Sequence, residues 1–439
     1  MNITTKTIVL DDDPTGTQTV QDVAVLTVWD VATLAKELRS PAPLFFILTN
    51  TRAMPEAHAR ALNVEICQNL LAAREQTGIN FDLISRGDST LRGHFPAEPE
   101  AIEQGMGITF DAWFLIPFFE EGGRITRQDV HYVREGQKLI PAADTPFAQD
   151  ATFGFRHSNL KEYVEEKTNG NIKAETVASI ALEELKSPDI QPLIAKISHF
   201  TNRQVVVVNA ESWRDLIPLA VAVRHLPHKR FLFRTAASWV KAVKFQADGI
   251  ERFRPIVFPQ NQQSTGGLIV VGSYVPKTTR QLQILLHDTR IRPLELDTAR
   301  LLAPHHETNS YILEVAAQID TLLSAKIHVV VYTSRVLIKD TDPLRSLEIG
   351  NRVSEGLVAL VQKLKVRPRF LVAKGGITSS DVATKGLNIK RAVVRGPLLA
   401  GVPVWESGPE SRLPGLHYVV FPGNVGHDDA LHQAFEQLI

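Results

Sequence analysis

Short β-branched runs that end in a polar or glycine-rich turn and then pass into a helical pattern recur along this chain. The first half contains TIVL, FFILTN, FDLISRGD and VVVVNA, and the second half contains GLIVVGS, HVVVYTS and RFLVAKGG. Such alternation of strand and helix is typical of α/β units around a mainly parallel sheet. Ligands of these sheets bind beyond the carboxyl ends of the strands, so the polar residues after each run are the first candidates for a site.

The length of the chain predicts more than one domain. Its 439 residues exceed the size at which a single hydrophobic core usually stops growing. The stretch FRPIVFPQNQQSTGG, from Phe253 to Gly267, has no periodic pattern and is typical of a linker. We therefore predict α/β domains at residues 1–255 and 265–439, with the boundary near residue 260. Residues 141–175 are rich in proline, alanine, lysine, glutamate and asparagine and predict an exposed excursion.

The composition excludes several classes of protein. Forty-eight basic residues balance forty-eight acidic ones, so the chain has no overall field that would hold a nucleic acid or an anionic membrane. Cys67 has no second cysteine in the chain, which excludes an intrachain disulfide and a cysteine-based metal cluster. The first residues lack the apolar stretch of a secretory signal, and no run approaches the roughly 18 apolar residues of a membrane span. We therefore expect a cytoplasmic protein with small-molecule ligands.

Three carboxylates stand at the end of the first strand, in the segment TIVLDDDPTGT. Asp11, Asp12 and Asp13 precede Pro14, where the chain must turn. Carboxylates and the Thr15 hydroxyl can bind hydroxyl groups of a substrate there, and a carboxylate can accept a proton from an attacking hydroxyl. A solvated acidic turn that caps the next element is the alternative for this segment.

The segment SRGDSTLRGHF, from Ser85 to Phe95, concentrates two guanidinium groups, a carboxylate, hydroxyls and two glycines after another strand. Arg86 and Arg92 can each make a bidentate contact with a carboxylate or a phosphate. The two glycines allow the backbone to approach a ligand closely, and Asp88 can orient or deprotonate a substrate hydroxyl. A surface network of arginine and aspartate, with Ser89 as the cap of a helix, is the alternative.

Three glycine-containing turns follow strands in the second half and lead into helical patterns. They lie in VVGSYVPK around Ser273, in AKGGITSSD around Gly375 and in FPGNVGHDD around Gly423. For the middle turn we predict a helix capped by one of the residues Thr378–Ser380. Helix starts offer free N–H groups and a positive dipole end to an anion, so three convergent turns favour a nucleotide pocket. Neither GxxxxGK[ST] nor GxGxxG is present, and the spacing does not identify the nucleotide.

Charged residues near these turns extend the hypothesis. Lys277 and Lys374 can neutralise phosphate charge, although exposed lysines usually only solvate a surface. His427, Asp428 and Asp429 can help to hold Mg²⁺, which prefers carboxylates together with phosphate oxygens. The alternative for the two aspartates is capping of the last helix.

Six segments, taken in order, resemble the motifs of one family. They are DDDPTGTQTV at Asp11, RGDSTLRGHF at Arg86, RTAASWV at Arg234, VGSYVPKTTRQ at Val271, KGGITSSDVA at Lys374 and FPGNVGHDDA at Phe421. The chain thus resembles the four-carbon acid sugar kinases over nearly its whole length. The resemblance implies two α/β domains with mainly parallel sheets and an active site in the cleft between them. A sugar acid would bind to the first domain, and ATP with Mg²⁺ to the second.

The resemblance also implies an activity and the residues that support it. Members of the family use ATP to phosphorylate the terminal hydroxyl of four-carbon acids such as threonate, erythronate or 3-oxo-tetronate, a step of carbohydrate metabolism. Catalytic roles would belong to Asp13, Asp88 and Arg92. The acid would contact Asp12, Thr15, Arg86, Ser89, Thr90 and Arg234. The nucleotide would contact Ser273, Gly375, Gly376, Ile377, Thr378, Gly423 and Asn424.

Phosphoryl transfer mainly requires that the attacking hydroxyl be aligned with the γ-phosphate and that charge on its oxygens be offset. We expect Arg86 and Arg92 to clamp the carboxylate of the acid while Asp13 or Asp88 accepts the hydroxyl proton. Two departures from the family pattern point to a subgroup with a different acid. Many relatives read DDLTGA where this chain has DDDPTGT, and carry a lysine where it has Phe421. The sequence leaves homodimer formation open.

Two other functions fit parts of the sequence. Asp11, Asp13 and Thr15 match the DxDxT pattern of haloacid-dehalogenase-like phosphatases, in which the first aspartate attacks phosphate. That assignment leaves the segments STLRG, KGGITSSD and FPGNVG without a role. A non-catalytic sensor of sugar acids or nucleotides on the same fold is the second alternative.

Overall fold

The computed structural model describes residues 5–251, 253–256, 258, 264–335 and 343–439. Their contacts separate two compact units, which divide between Phe253 and Arg254. The boundary predicted near residue 260 lies outside the described residues. Within the described ranges, no helix has the length and apolar character needed to cross a membrane.

The first unit contains a parallel sheet and a small antiparallel one. Its strands are β1 (Thr5–Asp11), β2 (Val23–Leu26), β3 (Leu44–Leu48), β4 (Asn80–Arg86), β5 (Ala112–Ile116), β6 (Arg124–Arg127), β7 (Val130–Glu135), β8 (Lys138–Pro141), β9 (Ala178–Ile180), β10 (Gln204–Val208) and β11 (Phe231–Thr235). The parallel sheet has the order β2-β3-β1-β4-β11-β5-β10-β9. Strands β6, β7 and β8 form the antiparallel sheet. The predicted α/β class with a mainly parallel sheet is confirmed.

Helices connect these strands. They are α1 (Val31–Leu38), α2 (Glu56–Thr77), α3 (Ala97–Met106), α4 (Leu160–Lys167), α5 (Leu182–Leu185), α6 (Gln191–Ser198), α7 (Ile217–Arg224) and α8 (Ala237–Asp248). Helix α2 buries Ile66, Cys67, Leu70 and Ala73 in the core of the unit, a spacing that places them on one helical face. It ends at Gly78, whose φ of +71° provides the left-handed conformation common after a helix.

The central strands are apolar along their whole length because both faces of the sheet are covered. Every residue of β3, with sequence LFFIL, and of β5, with sequence AWFLI, is buried. Strands buried on both faces have continuous rather than alternating hydrophobic sequences. The polar residues at the ends of such strands are therefore the ones left to form a site.

The second unit has a sheet that is parallel at one side and antiparallel at the other. Its strands are β12 (Leu268–Val271), β13 (Ile291–Leu296), β14 (His328–Thr333), β15 (Leu371–Lys374), β16 (Arg391–Leu399), β17 (Val402–Ser407) and β18 (His417–Phe421). The order is β13-β14-β12-β15-β18-β17-β16, with β17 antiparallel to both of its neighbours. The helices are α9 (Pro276–Leu285), α10 (Thr298–Leu301), α11 (His305–Ser324), α12 (Pro343–Lys363), α13 (Gly376–Asp381) and α14 (Ala430–Leu438). A π-helical turn, Val382–Gly386, continues α13.

The exposed excursion predicted for residues 141–175 is wrong in part. Phe155, Leu160 and Tyr163 in this segment are buried and belong to the core of the first unit. The Phe155 and Tyr163 rings meet edge to face at 5.8 Å, and Tyr163 also stacks on Phe95. Composition suggested exposure because polar residues outnumber these few aromatic and aliphatic anchors, yet the anchors decide how the segment packs.

Candidate functional site

Adjacent strands bring the two polar segments of the first unit together. In the register of the sheet Asp11 at the end of β1 lies beside Leu48 at the end of β3 and beside Arg86 at the end of β4. Arg86 in turn lies beside Thr235 at the end of β11. The residues that follow β1, β3, β4 and β11 therefore share one edge of the sheet, as the topology of a parallel sheet requires.

Asp12 is the buried centre of a cluster of three arginines. Its carboxylate lies 2.5 Å from Nη2 of Arg52, 3.5 Å from Nη1 of Arg86 and 3.9 Å from Nη2 of Arg234. One carboxylate cannot offset three cations, and each of the three arginines has another acidic partner nearby. Asp12 thus fixes the relative positions of three segments that are distant in the sequence.

Arg52 links the aspartates of both predicted segments. Besides Asp12, its guanidinium reaches Asp13 at 3.5 Å and Asp88 at 3.8 Å. It lies in the turn Thr51–Ala53, directly after the strand that supplies FFILTN. Arg52 is not among the site residues predicted from the sequence, although its position two residues beyond that run was an available signal.

Arg86 is buried under the cluster. Its side chain is 4% exposed, and Nη1 lies 3.2 Å from Asp11 as well as close to Asp12. Burial raises the pKa of Asp11 to about 8, against the opposing effect of Arg86. The turn at Gly16 packs so closely on the Asp11 carboxylate that a side chain at Gly16 would collide with it. Arg86 therefore has aspartates of the protein as its partners.

Arg234 is buried and pairs with an acid that the sequence analysis missed. Its Nη1 donates to Glu98 at 2.6 Å and to Ser85 at 2.9 Å. A Cβ built on Gly87 would lie 2.6 Å from Cζ of Arg234, and one built on Gly93 would lie 2.8 Å from Nη2. The two glycines were expected to let the backbone approach a ligand closely. The space beside them is instead filled by the Arg234 side chain.

Asp13 and Asp88 are the carboxylates of the cluster that remain partly exposed. Burial by itself would raise the pKa of each, but nearby arginines outweigh it and hold both values below the ordinary range. The backbone N–H of Thr15 donates to Asp13 at 2.8 Å. Asp88 accepts from the Thr90 hydroxyl and, at 2.7 Å, from Nε of Arg92. Both carboxylates are therefore ionised at neutral pH.

The loop that carries Ser89 is braced by His131 of β7. Nε2 of His131 lies 2.8 Å from the Ser89 carbonyl, and Nδ1 lies 3.0 Å from the Thr126 hydroxyl. The carbonyl requires the protonated Nε2, so Nδ1 accepts from Thr126. Burial lowers the pKa of His131 to about 4, which keeps the ring neutral. Ser89 does not begin a helix, so the capping role considered for it is wrong.

The second unit brings the three glycine turns together. Strands β12, β15 and β18 are neighbours, with Val271 beside Lys374 and Lys374 beside Phe421 at their carboxyl ends. A Cβ on Gly375 would lie 3.0 Å from Cβ of Ser273, and one on Gly423 would lie 3.1 Å from its Oγ. These turns form one compact loop cluster with little room for added side chains.

The helix after the middle turn begins earlier than predicted. Gly375 is the N-cap residue, with φ of +123°, and α13 starts at Gly376. The capping role predicted for Thr378–Ser380 is therefore wrong. The reason is that the buried Ser379 hydroxyl donates to the Ala373 carbonyl instead, at 2.6 Å. Glycine suits the N-cap position because its φ is rarely adopted by other residues.

Two of the residues predicted for the nucleotide are open to solvent. Ile377, in the first turn of α13, is 61% exposed. Asn424 is exposed as well, whereas Thr378 is buried. The Thr378 hydroxyl occupies the space in which a side chain at Gly272 would collide.

Lys374 is buried within the loop cluster. Its Nζ donates to the carbonyls of Pro422 at 2.5 Å and Gly423 at 3.2 Å, and lies 4.0 Å from the centre of the Phe421 ring. Burial, aided by the charge of Lys277, lowers the pKa of Lys374 to about 6. The residue predicted to offset phosphate charge thus ties the ends of β15 and β18 together.

Arg335 is a cation of this cluster that the sequence analysis missed. It follows β14, the strand of HVVVYTS, and its Nη1 donates to the Ser273 carbonyl at 2.8 Å. Nη2 donates to the Thr279 hydroxyl at 2.6 Å, and the guanidinium lies over the Tyr274 ring. The missed signal was its position directly after a strand.

The residues suggested for Mg²⁺ fit that ion poorly. Nε of Arg280 lies 3.0 Å from both carboxylate oxygens of Asp428, and Asp429 accepts from Gln433. Asp429 is the N-cap residue of α14, but its side chain does not accept a capping hydrogen bond. These aspartates are therefore engaged with side chains of the protein.

Family models match both units. A model described as a sugar-binding N-terminal domain matches residues 7–243, which is more than half of the chain. A model described as a nucleotide-binding C-terminal domain matches residues 268–431. The aspartate and arginine cluster lies in the first range, and the glycine loop cluster lies in the second.

One relative and two solved structures resemble the chain. D-threonate kinase from Salmonella typhimurium strain LT2 is 24% identical over 314 residues, which are 68% of this chain and 66% of that protein. The chain thus spans slightly less than two thirds of the length of that relative. A Salmonella typhimurium LT2 protein described as a putative tRNA synthase has a TM-score of 0.70 and 17% identity over 98% of each chain. A Haemophilus influenzae protein from a family of unknown function has a TM-score of 0.68 and 15% identity, over 98% of this chain and 100% of that one. At these identities the two structures show a shared fold.

Proposed function

The chain belongs to the four-carbon acid sugar kinase family, and we propose on that premise that it uses ATP to phosphorylate the terminal hydroxyl of a four-carbon sugar acid. The observation that carries the proposal is the joint match to a sugar-binding and a nucleotide-binding domain, each of which contains one of the two clusters. The similarity to D-threonate kinase supports an acid such as threonate.

The first cluster has the chemistry that a polyhydroxy acid requires. Carboxylates such as Asp13 and Asp88 accept hydrogen bonds from hydroxyl groups, and arginines bind a carboxylate through paired N–H donors. Arg92 is the predicted arginine best placed for this role, because its side chain keeps 24% of its surface exposed. Arg86, with Asp11 and Asp12 as partners, instead sets the charge beneath the site.

Asp13 or Asp88 would accept the proton of the attacking hydroxyl. Arg52 lowers the pKa of Asp13, and Arg92 together with Arg52 lowers that of Asp88, so both carboxylates are ionised at neutral pH. Arg52 also lies close to both carboxylates. A carboxylate of lowered pKa is a weak base, which suits phosphoryl transfer because the proton leaves late and alignment provides most of the rate. The aspartate thus orients the hydroxyl before it receives the proton.

The loop cluster of the second unit would bind ATP. Ser273, Gly375 and Gly423 pack within a few ångströms of one another. Side chains added at the two glycines would fill the space in which backbone N–H groups are proposed to bind phosphate. Arg335 adds a positive charge beside Ser273, and the exposed Ile377 offers an apolar contact. ATP is proposed to bring Mg²⁺ with it, since that ion binds phosphate oxygens and retains waters. No described residue is assigned to the metal.

The phosphatase alternative lacks support in the geometry. Asp11 would have to attack phosphate as an anion, yet it is buried against Arg86 and its pKa is raised to about 8. A protonated carboxyl group is a poor nucleophile.

An assay with ATP, Mg²⁺ and a panel of acids tests the proposal. We expect release of ADP that depends on threonate, erythronate or 3-oxo-tetronate. Asp13→Asn and Asp88→Asn should each lower kcat, and the variant of the true base should lower it about 100-fold or more. The exposed Asp144→Asn is the matched control and should behave like the unmodified protein. Phosphate release from a sugar phosphate without ATP would indicate a phosphatase, and acid binding without turnover would indicate a sensor.

A further inference from the structure

We propose that Arg124 and Arg92 together form the clamp that binds the carboxylate of the acid. Both guanidinium groups lie against the ring of Phe147. The inference deepens the proposed function, on which it rests for the identity of the ligand as an acid. It replaces the pairing of Arg86 with Arg92 that the sequence suggested.

The two guanidinium groups share one aromatic ring. Cζ of Arg92 lies 5.1 Å from the centre of the Phe147 ring, and Cζ of Arg124 lies 5.8 Å from it. Both distances fall within the range of a cation–π contact. Arg92 comes from the loop after β4, Arg124 begins β6, and Phe147 lies in the turn Pro146–Gln149. Three separate segments thus bring two guanidinium groups to one aromatic ring.

Arg124 has no acidic partner in the part of the chain that the structure describes. Nη1 donates to the Gly122 carbonyl, and the buried Nε has no hydrogen-bond partner among the described residues. Burial lowers the pKa of Arg124, and Arg92 lowers it further, while Asp88 and Glu135 act in the opposite direction. A buried N–H without a partner is destabilising, and a bound carboxylate is an acceptor that can satisfy it.

Arg92 differs from Arg124 in having acidic partners within the protein. Its Nε donates to Asp88 at 2.7 Å, and Nη1 lies 3.8 Å from Asp150. The Arg92 and Arg124 charges repel one another, as the effect of Arg92 on Arg124 shows. An organic carboxylate bound to both would offset this repulsion and use the planar donor geometry of each guanidinium.

The position of the clamp fits the proposed reaction. Because Arg92 is bonded to Asp88, a carboxylate bound by Arg92 brings the adjacent hydroxyl-bearing carbons close to the aspartates of the cluster. An acid and its uncharged alditol should therefore differ in affinity mainly through the two arginines. Arg52 already pairs with three aspartates, so it should bind an external anion more weakly than Arg124 does.

Calorimetric titration of the full chain with threonate and erythronate, and with threitol and erythritol as uncharged probes, tests the clamp. Arg124→Met should weaken acid binding about 10- to 100-fold, as loss of a charge-assisted pair implies. Arg124→Lys should have an intermediate effect, since it keeps the charge and loses the planar donors. Alditol binding and the KM for ATP should stay within about twofold. The matched control is Arg127→Met, which removes an exposed arginine from the same strand that pairs with Glu211.

The outcomes separate this inference from the proposed function. Acid binding without ADP release in the unmodified protein refutes the kinase and leaves the clamp to be judged by the Arg124 variants. Turnover that the Arg124 variants do not affect refutes the clamp alone. A chain that binds neither acid, or an Arg124→Lys variant that binds acids as tightly as the unmodified protein, also overturns the clamp. If Arg124→Met does not fold, Arg124→Lys decides.

Discussion

The guanidinium of Arg234 occupies the space in which a side chain at Gly87 would lie, with Cζ 2.6 Å from the position of a Cβ there. Arg234 is held by Glu98 and Ser85 in a buried site and cannot swing aside without losing both contacts. Gly87 is therefore required by a residue almost 150 positions away in the sequence, at the end of β11.

The first prediction concerns Gly87→Ala. The added methyl group should displace Arg234 and break its pair with Glu98, which lowers the free energy of unfolding by about 2–4 kcal/mol. Urea unfolding measures this change, and calorimetry should show weaker binding of the acid. Gly350→Ala is the matched control, since nothing lies within 4 Å of a Cβ there. Equal stability of the two variants would contradict the steric role assigned to Gly87.

The second prediction concerns Arg52→Met. Arg52 lowers the pKa of Asp13 and of Asp88, so its removal should raise both values. The acidic limb of the kcat/KM profile should then move to higher pH. At neutral pH kcat/KM should fall by about 100-fold, because Asp13 loses its nearest cation and Asp88 keeps only Arg92 as an ion-pair partner among the described residues. Arg60→Met, which removes an exposed arginine paired with Glu56, is the control. An unshifted acidic limb would show that Arg52 does not set the charge of Asp13 and Asp88.

The third prediction concerns the pH dependence of stability at His131. Its folded pKa of about 4 lies below the ordinary 6.5, so the unfolded chain binds a proton that the folded chain refuses between these values. The neutral ring therefore contributes fully to the free energy of unfolding above pH 6.5. This contribution is lost as the pH falls towards 4, by about 1.4 kcal/mol per pH unit at most.

His131→Gln removes this titration. The difference in unfolding free energy between the unmodified protein and the variant should therefore shrink as the pH falls from 7 to 5. Urea unfolding at several pH values measures it, with the exposed His199→Gln as control. A difference that is constant with pH would mean that the buried ring is not kept neutral.

The fourth prediction concerns Lys374→Met. The folded pKa of about 6 is far below the ordinary 10.5, so the unfolded chain binds the extra proton between these values. The contribution of Lys374 to the free energy of unfolding should therefore rise with pH across this window, by about 1.4 kcal/mol per unit at most. The variant should lack this rise and should bind ATP more weakly, since Gly423 loses a donor that fixes its carbonyl.

Urea unfolding at pH 6.5, 7.5 and 8.5 and calorimetric titration with ATP measure these effects. Lys363→Met, at the exposed end of α12, is the control and should leave both quantities unchanged. If Lys374→Met retains both the ATP affinity and the pH dependence of stability, Lys374 does not organise the loop cluster.

Much of the framework could be predicted from local sequence. Each of the runs TIVL, FFILTN, FDLISRGD and VVVVNA contains or overlaps a strand of the parallel sheet, because β-branched and apolar residues favour buried strands wherever they occur. The short strands β6, β7 and β8 were missed, since their mixed sequences lack a clear alternation. Those strands carry Arg124 and His131, so the clamp and the loop brace were missed with them.

The sequence by itself determined the α/β class, the position of the aspartate and glycine turns after strands, and the chemical character of each turn. These features depend on residues close together in the chain, where periodicity and turn preferences act. Only the tertiary structure decided that Arg86 is buried beneath Asp12, that Arg52 bridges Asp13 and Asp88, and that Arg124 reaches the ring beside Arg92. The pairing of a charged side chain depends on which strands become neighbours and on how deeply each group is buried, and neither is encoded within a single segment.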